Sequence, residues 1–200
     1  VHRAKVVEQV QRILSSPRCV GPRSRPRGAR GKPAELLRSS SPTATLDQQL
    51  YALQGIYRDP ARVRGDALDV LRHYPSLVPK RAAQSAGARA LLCLAGTVPV
   101  SYRGTVYHIP VAVWVVEAYP YATPLAYVTP TATMDIKPRH KHCDSKGLVY
   151  LPYLSTWQPA TSNLTGLVAS MCSTFGQDPP VRAKPKGGTA SSTPAAHSGG

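Results

Sequence analysis

From Leu46 onward apolar residues recur in a helical rhythm. Leu46, Leu50, Leu53 and Tyr57 fall at i, i+4, i+7 and i+11, one face of a helix. Arg58-Asp59-Pro60 interrupts it. Pro60 suits the first position of a second helix, where its missing N–H would have no partner anyway. Val63, Ala67, Val70, Leu71 and Tyr74 form that helix's face, and Tyr74-Pro75 ends it. The pattern then turns to strand chemistry. Arg89 to Leu94 carries a faint strand pattern, and Thr105 to Glu117 a rich one of Val, Ile, Tyr and Trp. Pro110 within the latter lacks a ladder donor, which predicts an edge position or a bulge near the strand start. Leu125 to Val128, bounded by Pro124 and Pro130, is a third strand. Short strands separated by Gly and Pro turns predict an antiparallel meander. After Pro159, Ser162 is the expected N-cap of a last helix. Its face holds Leu164, Leu167, Val168, Met171, Cys172 and Phe175, and Gly176 and Pro179-Pro180 stop it. Helix, helix, three or four strands, long loop, helix predicts an α+β fold with helices on one face of an antiparallel sheet.

The flanks read differently. Val6, Val7, Val10, Ile13 and Leu14 have helical spacing, but so short a helix is marginal in isolation. Pro17 to Pro33 is rich in Arg, Pro and Gly and cannot bury enough surface to offset its ordering entropy. Ala183 to Gly200 has linker composition. The expected division is a basic, mostly disordered arm over 1–45, a folded domain over 46–181, and a disordered Pro/Gly/Ser/Thr-rich tail over 182–200. A Pro-Thr-Ala-Thr stretch occurs at Pro42 to Thr45 and again at Pro130 to Thr133, with no longer repeat.

Composition sharpens this picture. The 200 residues carry a formal charge of +15, and 42% are hydrophobic, enough for one core. The charge is concentrated at the ends: ten basic residues stand against two acidic ones up to Thr45, while Leu46 to Val181 holds twelve against eight. The arm is read as a solvated basic tail in preference to an organelle transit peptide or a contact with nucleic acid or acidic membrane. It lacks the aromatic interleaving of a single-strand binder, so nucleic acid is not an expected partner. No run approaches the roughly 18 apolar residues of a membrane-spanning helix. Cys19, Cys93, Cys143 and Cys172 include no CxxC pair, which argues against a disulfide framework or a zinc site and fits a reducing compartment. The chain starts at Val1 and not at Met, which leaves a fragment of a longer protein and a stand-alone chain both open.

The blocks "GTVPVSYRGTVYHIPVAVWVVEAYPYATPLAYVTPTATM", "GLVYLPYLSTW" and "FGQDPPV", with "YRDPARVRGDALDVL" before them, occur in order between Leu46 and Val181. This succession resembles the UEV family, the ubiquitin-conjugating-enzyme variants found at the N-terminus of the tumour-susceptibility-gene subunit of ESCRT-I. The resemblance implies a ubiquitin-conjugating-enzyme-like fold without its last helices. It also implies binding of ubiquitin and of P-T/S-A-P peptides on sorting adaptors, in endosomal sorting of ubiquitinated cargo by a cytoplasmic, endosome-associated protein. Other ESCRT-I subunits would be engaged through regions beyond this chain.

Active conjugating enzymes carry H-P-N and then a G-x-x-C-L nucleophile motif, in which the thiol takes ubiquitin and the Asn stabilises the oxyanion. The matching stretches here are His140-Lys141-His142 and Gly147-Leu148-Val149-Tyr150-Leu151. Tyr150 stands at the cysteine position, and a phenol is a weaker acid than a thiol. No catalytic residue is therefore expected. Cys143, between His142 and Asp144, has the setting of an activated thiolate, but is read as an ordinary loop cysteine. His140, His142 and Cys143 lack a second ligand pair at zinc spacing, so neither metal nor cofactor is expected.

Carried over by motif, the peptide groove would comprise Thr97, Tyr102, Tyr107, His108, Ile109, Pro110, Thr131, Met134 and Val181. Aromatic walls suit proline rings, and a Pro-rich ligand arrives already extended. Two departures bear on this. His108 replaces the usual Asn, and histidine gains a proton near pH ~6.5, so binding would become pH-sensitive. Arg182 replaces an aromatic lid, which would weaken a proline pocket. Ubiquitin would meet Trp114 and Tyr127 on the sheet and Ser85 at the first hairpin tip, where Gln84-Ser85-Ala86-Gly87 lacks the family's acidic contact. Trp114 reads equally as an interface anchor or as core beneath a helix. An alternative is a non-catalytic cofactor of an active conjugating enzyme; the "YLPYL" block and the two leading helices favour the sorting branch.

Overall fold

A computed structural model describes residues 41–84 and 87–184. The N-terminal arm with its amphipathic stretch, the tail from 185 onward, and Ser85 and Ala86 lie outside the described residues.

The first helix, α1, spans Pro42–Tyr51. It starts four residues before Leu46 because Ser41 accepts the Ala44 N–H at 3.2 Å and Pro42 opens the first turn. The boundary expected at Leu46 therefore cuts into a helix. The helix also stops at Tyr51; Leu53 and Tyr57 are buried from the turns that follow, with Gly55 at φ +76. α2 spans Pro60–His73, with Asp59 accepting the Arg62 N–H at 2.9 Å and Pro60 in the first turn, as its sequence predicts.

Four strands follow as an antiparallel sheet in the order β1-β2-β3-β4: β1 Leu77–Ala83, β2 Ala90–Tyr102, β3 Thr105–Trp114 and β4 Leu125–Val128. β1 went unread because Pro79, Lys80 and Arg81 obscure its pattern; as an edge strand it tolerates the proline. β2 runs well past Leu94, through Gly96 and Pro99. Gly96 has a packing reason: a Cβ there would lie 2.0 Å from the Ser76 carbonyl oxygen. The edge position or bulge expected at Pro110 is not found: β3 is an inner strand whose pairing with β2 runs unbroken through Pro110, and the proline is tolerated for a local reason. Its carbonyl accepts the Thr129 N–H at 2.9 Å, so its missing N–H points to the same side, just past the end of β4.

A four-residue helix, α3, spans Pro152–Ser155, and α4 spans Leu164–Gln177. Asn163, not Ser162, caps α4, accepting the Gly166 N–H at 2.7 Å. Ser162 instead accepts the Gln158 N–H at 3.0 Å one turn earlier. Gly176 lies inside α4 rather than ending it; a Cβ there would approach the Ser101 carbonyl to 2.9 Å. After α4, β6 (Val181–Ala183) returns to pair with β5 (Met134–Ile136) as a separate two-stranded sheet. The tail expected from Arg182 thus begins inside a strand.

The main core lies between the helices and one sheet face, with Leu46, Val63, Val70, Leu94, Val98, Val111, Leu167, Met171 and Phe175 buried. A second cluster covers the other sheet face: Ala82, Cys93, Ala95, Ala112 and Trp114, with Leu91, Leu125 and Tyr127 at its margin. Buried polar groups lock the layers together. Tyr119 donates its hydroxyl to Asp66, and Arg62 donates to the same carboxylate at 2.8 Å and to the Ser162 carbonyl at 2.9 Å. Tyr57 accepts the Leu92 N–H and donates to the Val115 carbonyl, tying α1's trailing turns to β2 and to the end of β3. No helix among the described residues is long and apolar enough to cross a membrane.

Candidate functional site

The β2–β3 hairpin closes through Arg103-Gly104, between the paired Tyr102 and Thr105. Arg103 has φ 50 and Gly104 φ 79. Two left-handed residues make a type I′ turn, whose twist matches the strands it joins. The turn sets Tyr102 and Tyr107 on one face, ring centroids 6.5 Å apart and tilted by 57°. The Arg103 guanidinium lies 5.1 Å from the Tyr102 ring centre. Beyond the main core this face finds no helix, and Tyr107 is 49% exposed.

The opposite wall is the β5–β6 sheet. Met134 pairs with Ala183, Asp135 with Arg182 and Ile136 with Val181. Hydrogen bonds from Lys137 N–H to the Pro180 carbonyl (2.8 Å) and from Lys184 N–H to the Thr133 carbonyl (2.9 Å) close its two ends. Between hairpin and β6 runs an apolar groove of about 720 Å³.

Of the nine groove residues expected from the sequence, Tyr102, Tyr107, His108, Ile109, Met134 and Val181 line it. Thr131 lies in an adjoining depression, its hydroxyl 3.1 Å from that of Thr133. Thr97 and Pro110 are paired with each other and do not line the groove. Their register puts them on the outer sheet face with Ala95 and Ala112, because paired residues share a face and the side-chain period is two. Ala132, Thr133, Pro179, Ala183 and Lys184 also line it and were not anticipated, while Arg182 lines it where the sequence put it, in place of an aromatic lid. The usable signal was Pro179-Pro180, which turns the chain sharply after α4 and aims it back along β5.

Trp114 is fully buried, but not beneath a helix. It sits on the outer sheet face in a row with Lys80, Cys93 and Leu125 across the four strands. A side chain with no exposed surface cannot itself be the contact a partner meets, so Trp114 supports that face from below. Tyr127, beside it, is partly exposed. Ser85 lies outside the described residues; the neighbouring Gly87 has φ +80.

The loop from His140 to Leu151 is fastened at every turn. His140, side chain buried, has Nε2 2.8 Å from the Asp178 carbonyl, and its Nδ1 accepts the His142 N–H at 3.1 Å. Asp144 accepts the Lys146 and Leu148 N–H groups at 2.8 and 2.9 Å. Gly147 has φ +88, and a Cβ there would meet the Val128 carbonyl at 2.1 Å. Tyr150 is 49% exposed, with its hydroxyl 3.4 Å from Asp144. Cys143 is buried and bridged to Val149, and burial pushes its thiol up to about 12, the Asp144 carboxylate adding to the effect. It therefore has none of the thiolate character its His and Asp neighbours suggest. Among the described residues no cluster of His, Cys, Asp or Glu could hold a metal ion.

Comparison with known proteins agrees with this geometry. The family model of the UEV domain matches residues 49–183. The human tumor susceptibility gene 101 protein is 37% identical over 145 residues, covering 71% of this chain and 37% of that protein. The ESCRT-I complex subunit tsg101 of Dictyostelium discoideum is 34% identical over 121 residues, covering 57% of this chain and 25% of that one. The chain thus spans between a quarter and little more than a third of the length of these relatives. Two solved structures superpose on it. The yeast vps23 UEV domain with a vps27 PSDP peptide has TM-score 0.55 and 27% identity, covering 74% of this chain and 96% of that one. The Vps23 UEV in complex with ubiquitin has TM-score 0.57 and 31% identity, covering 70% and 99%. With a family match over most of its length and a fold to agree, this chain belongs to the UEV domain family.

Proposed function

We propose that this chain is a catalytically inactive reader of ubiquitin and of P-T/S-A-P-type proline motifs, serving an ESCRT-I subunit in endosomal sorting of ubiquitinated cargo. The observation that carries the reading is the tyrosine-walled groove between the β2–β3 hairpin and β6. It is apolar, extended and open, the shape a short proline-containing strand requires. The Vps23 UEV has been solved with a proline-containing PSDP peptide and with ubiquitin, which supports both halves of the reading. The chain works by binding rather than by thioester chemistry: a phenol stands at the nucleophile position, and the neighbouring thiol is buried. An endosomal location follows from the sorting role.

Burying about 100 Å² of proline contributes about 2.5 kcal/mol at roughly 25 cal/mol per Å². The loss of translational and rotational freedom offsets much of that, so a single motif binds weakly and reversibly. Ubiquitin is assigned to the outer sheet face through Tyr127, over the platform that Trp114 fills. Tyr102, Tyr107, His108, Met134 and Val181 are assigned to the peptide, with the buried Ile109 behind them.

Separate NMR titrations of the isotope-labelled chain with a P-T-A-P peptide and with ubiquitin test this. Peptide should shift the amides of Tyr102, Tyr107 and Met134, and ubiquitin those around Tyr127. Response to ubiquitin alone would return the chain to the role of cofactor for an active conjugating enzyme. Silence toward both would overturn the reading.

A further inference from the structure

Beside the groove lies a second depression of about 790 Å³, and the two share Ala132, Met134, Arg182 and Lys184. The second differs in charge. Four cations line it, Lys137, Arg139, Arg182 and Lys184, against the single carboxylate of Asp135. Two of these cations are already matched: Lys137 pairs with Asp178, and Lys184 lies 3.6 Å from Asp135. Arg139 and Arg182 form no ion pair with any described residue. The depression therefore carries two guanidinium groups still to be met.

Arg139 is also held in an unusual way. Its φ of 56 is in the left-handed region, which a residue with a Cβ rarely enters. The chain is pinned on both sides of it, by the Lys137 N–H on the Pro180 carbonyl and by His140 on the Asp178 carbonyl. An arginine is thus presented at a position whose backbone favours glycine, beside a binding groove.

We propose that this depression is a subsite for acidic residues flanking the proline motif on the same peptide, with Arg139 and Arg182 receiving their carboxylates. The proposal rests on the groove being a peptide site. Continuity favours a peptide, because a strand leaving the groove over Met134 and Arg182 enters the depression directly. The lining has no aromatic side chain on which a nucleic-acid base could stack. Guanidinium forks match carboxylates geometrically, and such contacts are strong when both oxygens are met. The subsite would also give Arg182 a role in place of the aromatic lid the family carries there: it turns the end of the groove from a proline pocket toward an acid reader.

The test is fluorescence anisotropy on the full chain with labelled peptides that share one P-T-A-P motif. Their flanks are all alanine, glutamates before the motif, or glutamates after it. One glutamate peptide should bind roughly five- to tenfold more tightly than the alanine peptide at low salt, with the gain shrinking as salt rises. Arg139→Gly should remove most of that gain. It suits the local backbone, so the fold is kept, and Arg139 does not line the groove, so the alanine peptide remains as a control. Arg139→Lys should keep part of the gain. Equal binding of all three peptides would overturn the subsite and leave the groove reading standing. A glutamate peptide with a scrambled motif that binds as well as the intact one would also overturn it, making the depression an independent anion site. No binding of any peptide would overturn the groove reading and the subsite with it.

Discussion

Cys143 shows how burial disarms a side chain whose neighbours suggest reactivity. It and Cys93 are both pushed up to about 12, chiefly by loss of water around the thiol. At pH ~8 the folded protein should leave both unmodified by maleimide, and urea should expose them; peptide mass mapping reads the difference. The same shifts set a pH dependence. Folded thiols keep protons that the unfolded chain releases near 9.0. The resulting stability is complete below that pH and is lost as pH rises from about 9 toward 12. Urea midpoints measured at neutral pH and at pH ~10 should fall accordingly. Trp114 makes the converse case. Trp114→Ala removes a fully buried indole and should cost about 3–5 kcal/mol, so any loss of ubiquitin binding in that variant comes with loss of fold. Tyr127→Ala should weaken ubiquitin binding with a small change in melting temperature, and calorimetry on the two variants separates contact from support.

At the scale of elements, the β2–β3 turn is a sharp test of why the groove has its shape. Gly104→Ala places a Cβ on a left-handed residue and should destabilise by about 1 kcal/mol, while Arg103→Asn suits the turn and should be neutral or better. Thermal unfolding checks both. The helices were legible because their apolar spacing persists over several turns: Val63, Ala67, Val70 and Leu71 are buried as their spacing requires. Of the four main strands, β4 was read at its observed bounds and β3 with three residues too many, but the length of β2 was hidden by Gly96 and Pro99, and β1 by Pro79, Lys80 and Arg81. Caps and ends went astray by a residue or a turn, as at Ser162, where Asn163 offers an equally good acceptor one step nearer the helix. The hairpin side of the groove was legible through its tyrosines. Its other wall was legible only as Met134, Val181 and Arg182, because three residues of β6 carry no periodicity, and only pairing with β5 makes them a strand. Thr97 and Pro110 stand outside the groove lining for a related reason: motif position does not say to which face of a sheet a residue turns.

For the molecule as a whole, the boundaries matter more than any single residue. Ser41 and Pro42 begin α1, and Lys184 bonds to Thr133 past the end of β6. A fragment spanning 41–184 should therefore melt higher than one spanning 46–181. The lost N-cap alone is worth about 1 kcal/mol. The shorter fragment should also lose P-T-A-P affinity, since it cuts away two of the three residues of β6. Calorimetry and peptide titration on the pair decide the point.

The walls of the groove are unequal in how they are held. β3 is paired with β2 along its length and with β4 at its far end, whereas β6 has only three residue pairs, all with β5. Mechanically this is a vice with one fixed jaw and one sprung jaw. Opening the sprung jaw costs less than unfolding the domain, so β6 amides should exchange with solvent well before those of β3, and a seated peptide should slow them. If the groove holds a peptide as proposed, the lifetime of that strand is set by how often the sprung jaw lifts, and the peptide can leave while the rest of the fold stays intact.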